Sequence, residues 1–171
     1  MLLPNGVHMA KKTVTKPKIK YIQRDQAALD QIQTLWEGLN SCMGERSTYF
    51  KQHFAAMTWA KRQADLLEKA AKGIMRIDLA VDEATGQSVG YLVSSVNSKK
   101  IGEVESIFVC EAYRGIGVGD QLMKNALAWM DQNGSVEKIV EASVGNEQVF
   151  GFYGRYGFLP RLIQLKQVTK S

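Results

Sequence analysis

The segment with the most chemical content runs Glu103-Val-Glu-Ser-Ile-Phe-Val109, then Cys110-Glu-Ala-Tyr-Arg114-Gly-Ile-Gly117-Val-Gly119-Asp120. Three glycines within five residues leave room for close backbone approach, and they stand directly before an amphipathic run. The first turn of a helix presents unpaired N–H groups and the positive end of its dipole, so a loop opening a helix here suits a pyrophosphate, with Arg114 adding a charged fork. The spacing is not G-x-G-x-x-G in a first βαβ unit, and no Gly-Lys-Ser/Thr follows, which weakens dinucleotide and nucleoside-triphosphate readings. The other reactive residue types are sparse. Cys42 and Cys110 lack CxxC spacing, and His8 and His53 are the only histidines, which argues against a zinc site or a disulfide framework. Cys110 without a histidine base reads as a packed thiol, and His53, beside Phe54, as a packed or pocket-lining ring.

The elements that must position this loop can be read from periodicity. Lys18-Ile-Lys-Tyr-Ile22 reads as a short edge strand. Asp25 can cap a helix carrying Leu29, Ile32, Leu35, Trp36 and Leu39, ending in the polar stretch 40–44. A second helix is expected from Ser47 or Thr48, with Phe50, Phe54, Met57, Ala60, Ala64 and Leu67 as its stripe and Gly73 as its stop. Residues 74–81, 88–96 and 101–109 then alternate as three antiparallel strands joined by polar turns. A helix is expected over 117–133, its buried face formed by Leu122, Met123, Ala126, Leu127, Trp129 and Met130, and a strand over 136–144. The intervening helix lets that strand lie parallel to 101–109. A last helix over 146–156 and a closing strand over 157–167 complete a mixed α/β sheet flanked by helices.

Composition bounds the remainder. With 171 residues and 45% hydrophobic content, the chain suits one domain with a real core. The expected organisation is a basic N-terminal tail, 1–16, followed by a single domain, 17–171. Residues 1–24 carry six of the 22 basic residues and no acid, which leaves 16 basic against 17 acidic residues in the body. The net charge of +5 therefore belongs to the lead-in, which reads as a solvated segment and not as a nucleic-acid arm. No apolar run reaches membrane-spanning length and no signal-peptide pattern is visible, so a soluble cytoplasmic protein is expected.

Arg114-Gly-Ile-Gly117-Val-Gly119 resembles the Q/R-x-x-G-x-G/A acetyl-CoA signature of the GNAT superfamily of N-acetyltransferases. Asn146-Glu-Gln-Val149-Phe-Gly-Phe152-Tyr153-Gly-Arg-Tyr156-Gly157-Phe158 is similar to that family's N-x-x-A-x-x-F-Y-x-x-x-G-F pattern, with Val149 where alanine is commoner. The resemblance covers about 73–167. The helical region 25–71, where family members differ by substrate, matches only in type.

The resemblance implies a GNAT-type fold, acetyl-CoA as co-substrate and no metal. It implies that the pyrophosphate lies over Arg114, Gly115, Ile116, Gly117, Val118, Gly119 and Asp120, and that the pantetheine arm pairs between strands 101–109 and 136–144 where they splay. Backbone groups around Phe108 and Val109 would hold the thioester, an N–H there stabilising the oxyanion. An attacking amine must shed a proton, and Glu105 and Glu103, on one strand face by the period of two, are the candidate bases. Tyr153 matches the tyrosine that protonates the departing thiolate. Asn146 is expected to bind the pantetheine, to cap the last helix, or both. The reaction implied is acetyl transfer to a primary amine of a small molecule or peptide in a ternary complex. The alternatives are a protein N-acetyltransferase acting on lysine or an N-terminus, and a catalytically silent acetyl-CoA sensor. Many family members are dimers, and a free sheet edge would permit a homodimer here.

Overall fold

The structure, a computed structural model, describes residues 16–167. The expected basic tail, apart from Lys16, and His8 lie outside the described residues. One five-stranded sheet has the order β1-β2-β3-β4-β5, formed by β1 (Ile19–Arg24), β2 (Gly73–Asp82), β3 (Ser88–Asn97), β4 (Ile101–Val109) and β5 (Glu137–Val140). The first four strands are antiparallel, and β5 lies parallel to β4 after helix α4 (Val118–Gln132), as a helical crossover requires. The mixed sheet is the architecture expected from the sequence, with β1 at the edge.

Alternation along the central strands divides the core between two faces. Met75, Ile77, Leu79, Tyr91 and Val93 meet α1 (Gln33–Arg46) and α3 (Trp59–Ala71) through Leu35, Trp36, Trp59 and Leu66. Ala80, Val89, Leu92, Val96 and Val104 meet α4 through Val118, Leu122, Met123, Ala126 and Met130 on the other face. Tyr153 of α5 (Phe150–Gly154) completes that second layer.

Four sequence expectations are corrected. Asp25 does cap, its carboxylate accepting from the Ala27 N–H at 3.0 Å, but it opens a 3₁₀ segment, Gln26–Ile32, before α1 begins. Helix α1 then runs through the polar stretch 40–44 to Arg46, because Asn40 is used as an anchor: its Nδ2 donates to the Phe54 carbonyl at 2.9 Å. The expected second helix is two, α2 (Lys51–Ala56) and α3, separated by extended backbone at Met57 and Thr58. Thr58 restarts the helix by accepting from the Lys61 N–H at 3.4 Å, and the break resets the helical phase. Trp59 and Leu66 are buried instead of Ala60, Ala64 and Leu67, and Arg62 and Lys69 are brought onto the sheet side.

Further corrections fall at the C-terminal end of the sheet. Strand β5 stops at Val140, four residues short of the expectation, and the last helix is a 3₁₀ turn, Glu147–Val149, followed by the five-residue α5. The closing strand does not form. Residues 158–167 have no regular structure, and Leu159, Leu162, Ile163 and Leu165 are each at least 70% exposed. Arg161 reaches Glu137 of β5 at 3.6 Å, yet no described strand pairs with the outer edge of β5.

Candidate functional site

The site begins with a mismatch of strand lengths. Strand β4 extends to Val109, but its pairing with β5 covers only Ile101–Val104, so residues 105–109 lack a neighbour on that side. An unpaired parallel-strand edge presents N–H and C=O groups that an extended ligand can pair with. A cleft of about 680 Å³ opens here, between α1, α2 and α3 on one side and the α4 N-terminus and α5 on the other.

At its α4 end the cleft is a backbone cradle. Gly115 and Gly117 have φ of +74° and +94°, left-handed conformations that a Cβ would strain, and a Cβ at either would point into open space. Gly117 is the N-cap and makes no side-chain cap, so the N–H groups of the first turn of α4 are left to bind an anion. Gly119 lines the cleft as well, and its missing Cβ, which would stand 3.3 Å from the Phe152 ring, lets α4 pack closely on α5. Arg114 folds back over the strand end, its Nε donating to the Val109 carbonyl at 2.8 Å and its guanidinium lying 5.5 Å from the Phe108 ring centroid. Its terminal nitrogens have no protein hydrogen-bond partner among the described residues. The Asp120 carboxylate turns away to Tyr156 Oη and Arg155, 3.2 Å distant, which offsets an anion that would oppose phosphate.

Midway along the cleft, α5 presents Tyr153. Its ring is 8% exposed and packs edge-on against Phe152 and Phe158, with centroids 5.3 and 6.2 Å away. Burial pushes the phenol up to about 12, so it remains protonated at neutral pH and can act as an acid. Its hydroxyl has no hydrogen-bond partner among the described protein groups. Asn146 lines the cleft too, but the alternative role expected for it, capping, is not found. Its Oδ1 accepts from Arg46 Nη1 at 2.7 Å, which ties the β5–α5 loop to the end of α1.

The two glutamates share a face, as expected, because both accept from Lys69: Glu103 at 2.8 Å, Glu105 at 2.7 and 2.9 Å. They do not share the cleft. Glu105 lines it, and Glu103 does not. The register slips at β3, with Val93 opposite Ser106 and Ser94 opposite Val104, so Glu105 is the extra residue of a bulge. A bulge strands a carbonyl, and Arg62 satisfies the one on Glu105 at 2.9 Å. The Glu105 carboxylate, 1% exposed, also accepts from Ser95 Oγ at 2.7 Å and lies 3.5 Å from Arg62 Nη2. Burial raises Glu103 above its ordinary value against the pull of Lys69. Burial also opposes the charge on Lys69, but its hydrogen bonds to Glu103 and Glu105 outweigh that and hold it above 10.5.

Of the residues singled out from sequence, Glu105, Phe108, Val109, Arg114, Gly115, Gly117, Val118, Gly119, Asp120, Asn146 and Tyr153 line one cleft. Ile116 packs into the α4-side core, and Glu103 stands behind Lys69. Sequence reasoning missed Arg46, Arg62, Lys69, Ser95 and Arg155. For two of these a signal was present: Arg62, Leu66 and Lys69 are spaced i, i+4, i+7, which puts two cations beside the most buried residue of α3. His53 is exposed at the cleft, edge-on to Phe54, and Cys110 packs partly buried against the core.

A glycine-lined helix start, an open strand edge and a protonated phenol thus share one cleft. The chain belongs to the Acetyltransferase (GNAT) family, whose model matches residues 34–158. An uncharacterized N-acetyltransferase of Methanocaldococcus jannaschii is 33% identical over 99 residues, 53% of this chain and 41% of that protein. The N-alpha-acetyltransferase MAK3 of Arabidopsis thaliana is 31% identical over 77 residues, 43% of this chain and 40% of that protein. The matches thus span about two fifths of these relatives' length. Among solved structures, a GCN5-related N-acetyltransferase from Ralstonia eutropha superposes with TM-score 0.67 at 16% identity over 88% of this chain and 99% of that one. The aminoglycoside N-acetyltransferase AAC(6')-Iy, in complex with CoA, superposes with TM-score 0.60 at 20% identity over 97% and 99%. At such identities these two likenesses establish the fold. Among the described residues no cluster of metal-ligating side chains and no helix long and apolar enough to cross a membrane is found.

Proposed function

We propose that this chain is an N-acetyltransferase that transfers the acetyl group of acetyl-CoA to a primary amine of a small molecule or peptide, by direct attack in a ternary complex. The observation that carries the reading is the continuity of one cleft from the α4 cradle, along the unpaired edge of β4, to Glu105 and the Tyr153 hydroxyl. Acetyl-CoA, when bound, supplies an activated thioester. The first-turn N–H groups of α4 and the free nitrogens of Arg114 would hold its diphosphate, and β4 beyond Val104 would pair with its extended arm. N–H groups near Phe108 and Val109 would face the thioester oxygen.

An alkylammonium with a pKa of roughly ten must lose a proton before it attacks. Glu105 is the base favoured by its position in the cleft, with Lys69, Arg62 and Ser95 fixing its carboxylate. As the amine nitrogen bonds to the acetyl carbon and the carbon–sulfur bond breaks, Tyr153 gives its proton to the leaving sulfur. Glu103, behind Lys69, then tunes the charge around Glu105. The exposed apolar residues at 159–165 and the outer edge of β5, which no described strand covers, support association with a second copy, which truncation after Phe158 would abolish in light scattering.

Release of thiol from acetyl-CoA, screened over small amines and peptides, tests the reading. Amine-dependent release that falls at least tenfold in Glu105→Gln and in Tyr153→Phe is expected. Preferred turnover of a folded protein over every free amine would make the chain a protein N-acetyltransferase. Tight binding of acetyl-CoA without turnover on any amine, peptide or protein would instead make it a sensor.

A further inference from the structure

The half of the cleft away from the α4 cradle is walled by α1, α2 and the start of α3. Helix α1 contributes Trp36, Leu39 and Met43, and Phe54 and Met57 face them from α2 and the break that follows it. All except Trp36 are only half-buried, so apolar surface is left facing the opening. The charged side chains on this wall are cationic: Arg46, bound to Asn146, and Arg62, bound to Glu105. No Asp or Glu from α1, α2 or α3 lines the cleft.

The cleft's three acids lie elsewhere. Glu105 already holds Lys69, Arg62 and Ser95, and Asp120 holds Arg155 and Tyr156 at the opposite end. Glu141, just past β5, is exposed at the strand end, where it follows the Val140–Val104 pair, and does not belong to the α1–α3 wall. An acceptor with several ammonium groups laid along this wall would set its extra charges against Arg46 and Arg62, where α1, α2 and α3 supply no carboxylate and Glu105 is already held by Lys69, Arg62 and Ser95. An acceptor with a single amine next to an apolar group would cover Leu39, Met43, Phe54 and Met57 and leave its one proton to Glu105.

We infer that the acceptor is an amine carrying one positive charge in all and borne next to an apolar side chain, such as the α-amine of a short peptide that begins with a large apolar residue, and not a polyamine or aminoglycoside. This rests on the transferase reading above. It separates the chain from the aminoglycoside acetyltransferase that shares its fold, because it concerns the α1–α3 wall and not the donor half.

The test compares methionyl-leucinamide and phenethylamine with spermidine and kanamycin, by kcat/KM from thiol release and by calorimetric binding to the enzyme–CoA complex. At least a tenfold preference for the apolar amines is expected in both readouts. Leu39→Glu, which adds a carboxylate to the wall, should raise kcat/KM for spermidine at least fivefold and lower it for phenethylamine. Spermidine or kanamycin bound or turned over better than both apolar amines would overturn the inference. The binding arm keeps the two readings apart: tighter binding of the apolar amines without turnover supports this acceptor chemistry while contradicting the transferase.

Discussion

Replacing Lys69 with methionine keeps the length and apolar stem of the side chain and removes the cation that bridges Glu103 and Glu105. The lost contacts are three charge-assisted hydrogen bonds, 2.7 and 2.9 Å to Glu105 and 2.8 Å to Glu103. One hydrogen bond to a charged group is worth about 1.5–3 kcal/mol. The lysine side chain is 42% exposed, so solvent screening holds the three together near the value of one unscreened bond. The carboxylate left behind is 1% exposed and cannot recover the loss from water; only Ser95 and the longer contact to Arg62 remain. The expected loss is about 2–3 kcal/mol, or roughly 4–12 °C in Tm for a chain of this size. Because Lys69 is held above 10.5 in the folded state, this stabilisation is complete below that pH and fades as pH rises through the folded value. The Tm gap between wild type and variant, followed by calorimetry, is thus constant from neutral pH to about pH 9 and narrows above 10.5. The double variant Lys69→Met/Glu105→Gln should lose less than the sum of the single losses. A single variant with unchanged Tm, or additive losses, would refute the account of Glu105 as a buried carboxylate held by Lys69.

Tyr153→Phe should lower kcat by about 10²-fold with Tm unchanged, because the hydroxyl bonds to no described protein group, and with the phenol pushed up to about 12 the wild type should show no basic limb from this residue below about pH 11. Glu103 is raised in the folded state, so its contribution to stability is present below 4.5 and diminishes as pH rises above that; Glu103→Gln should therefore gain on wild type in denaturant titrations from pH 4.5 upward. Leu66→Ala should cost about 2–5 kcal/mol and Leu67→Ala under about 0.5 kcal/mol in urea unfolding, since Leu66 is fully buried and Leu67 is 45% exposed.

The antiparallel part of the sheet and the glycine-lined α4 end of the cleft were legible in the sequence because their signals are local. Period-two alternation placed β2, β3 and β4 within a residue or so, and the glycine run marked the turn into α4. The α1–α3 side of the cleft was less legible. The break at Met57–Thr58 carries no proline or glycine, and an unbroken periodicity through it assigned Ala60, Ala64 and Leu67 to a face that the restarted helix turns outward. The bulge at Glu105 left no sequence mark either, since it is a property of two strands in register, and Arg62, which satisfies its carbonyl, lies 43 residues away. Residues 157–167 alternate like a strand but pair with no described strand; an alternating pattern specifies a face and not an edge to join.

The central claim, that the α4 cradle and the open edge of β4 receive acetyl-CoA, is tested most directly by calorimetric titration of acetyl-CoA into wild type and Gly117→Trp. Micromolar binding to the wild type, weakened at least a hundredfold in a variant that stays folded by circular dichroism, is the result this account predicts. Equal affinities, or no binding to the wild type at all, would contradict it.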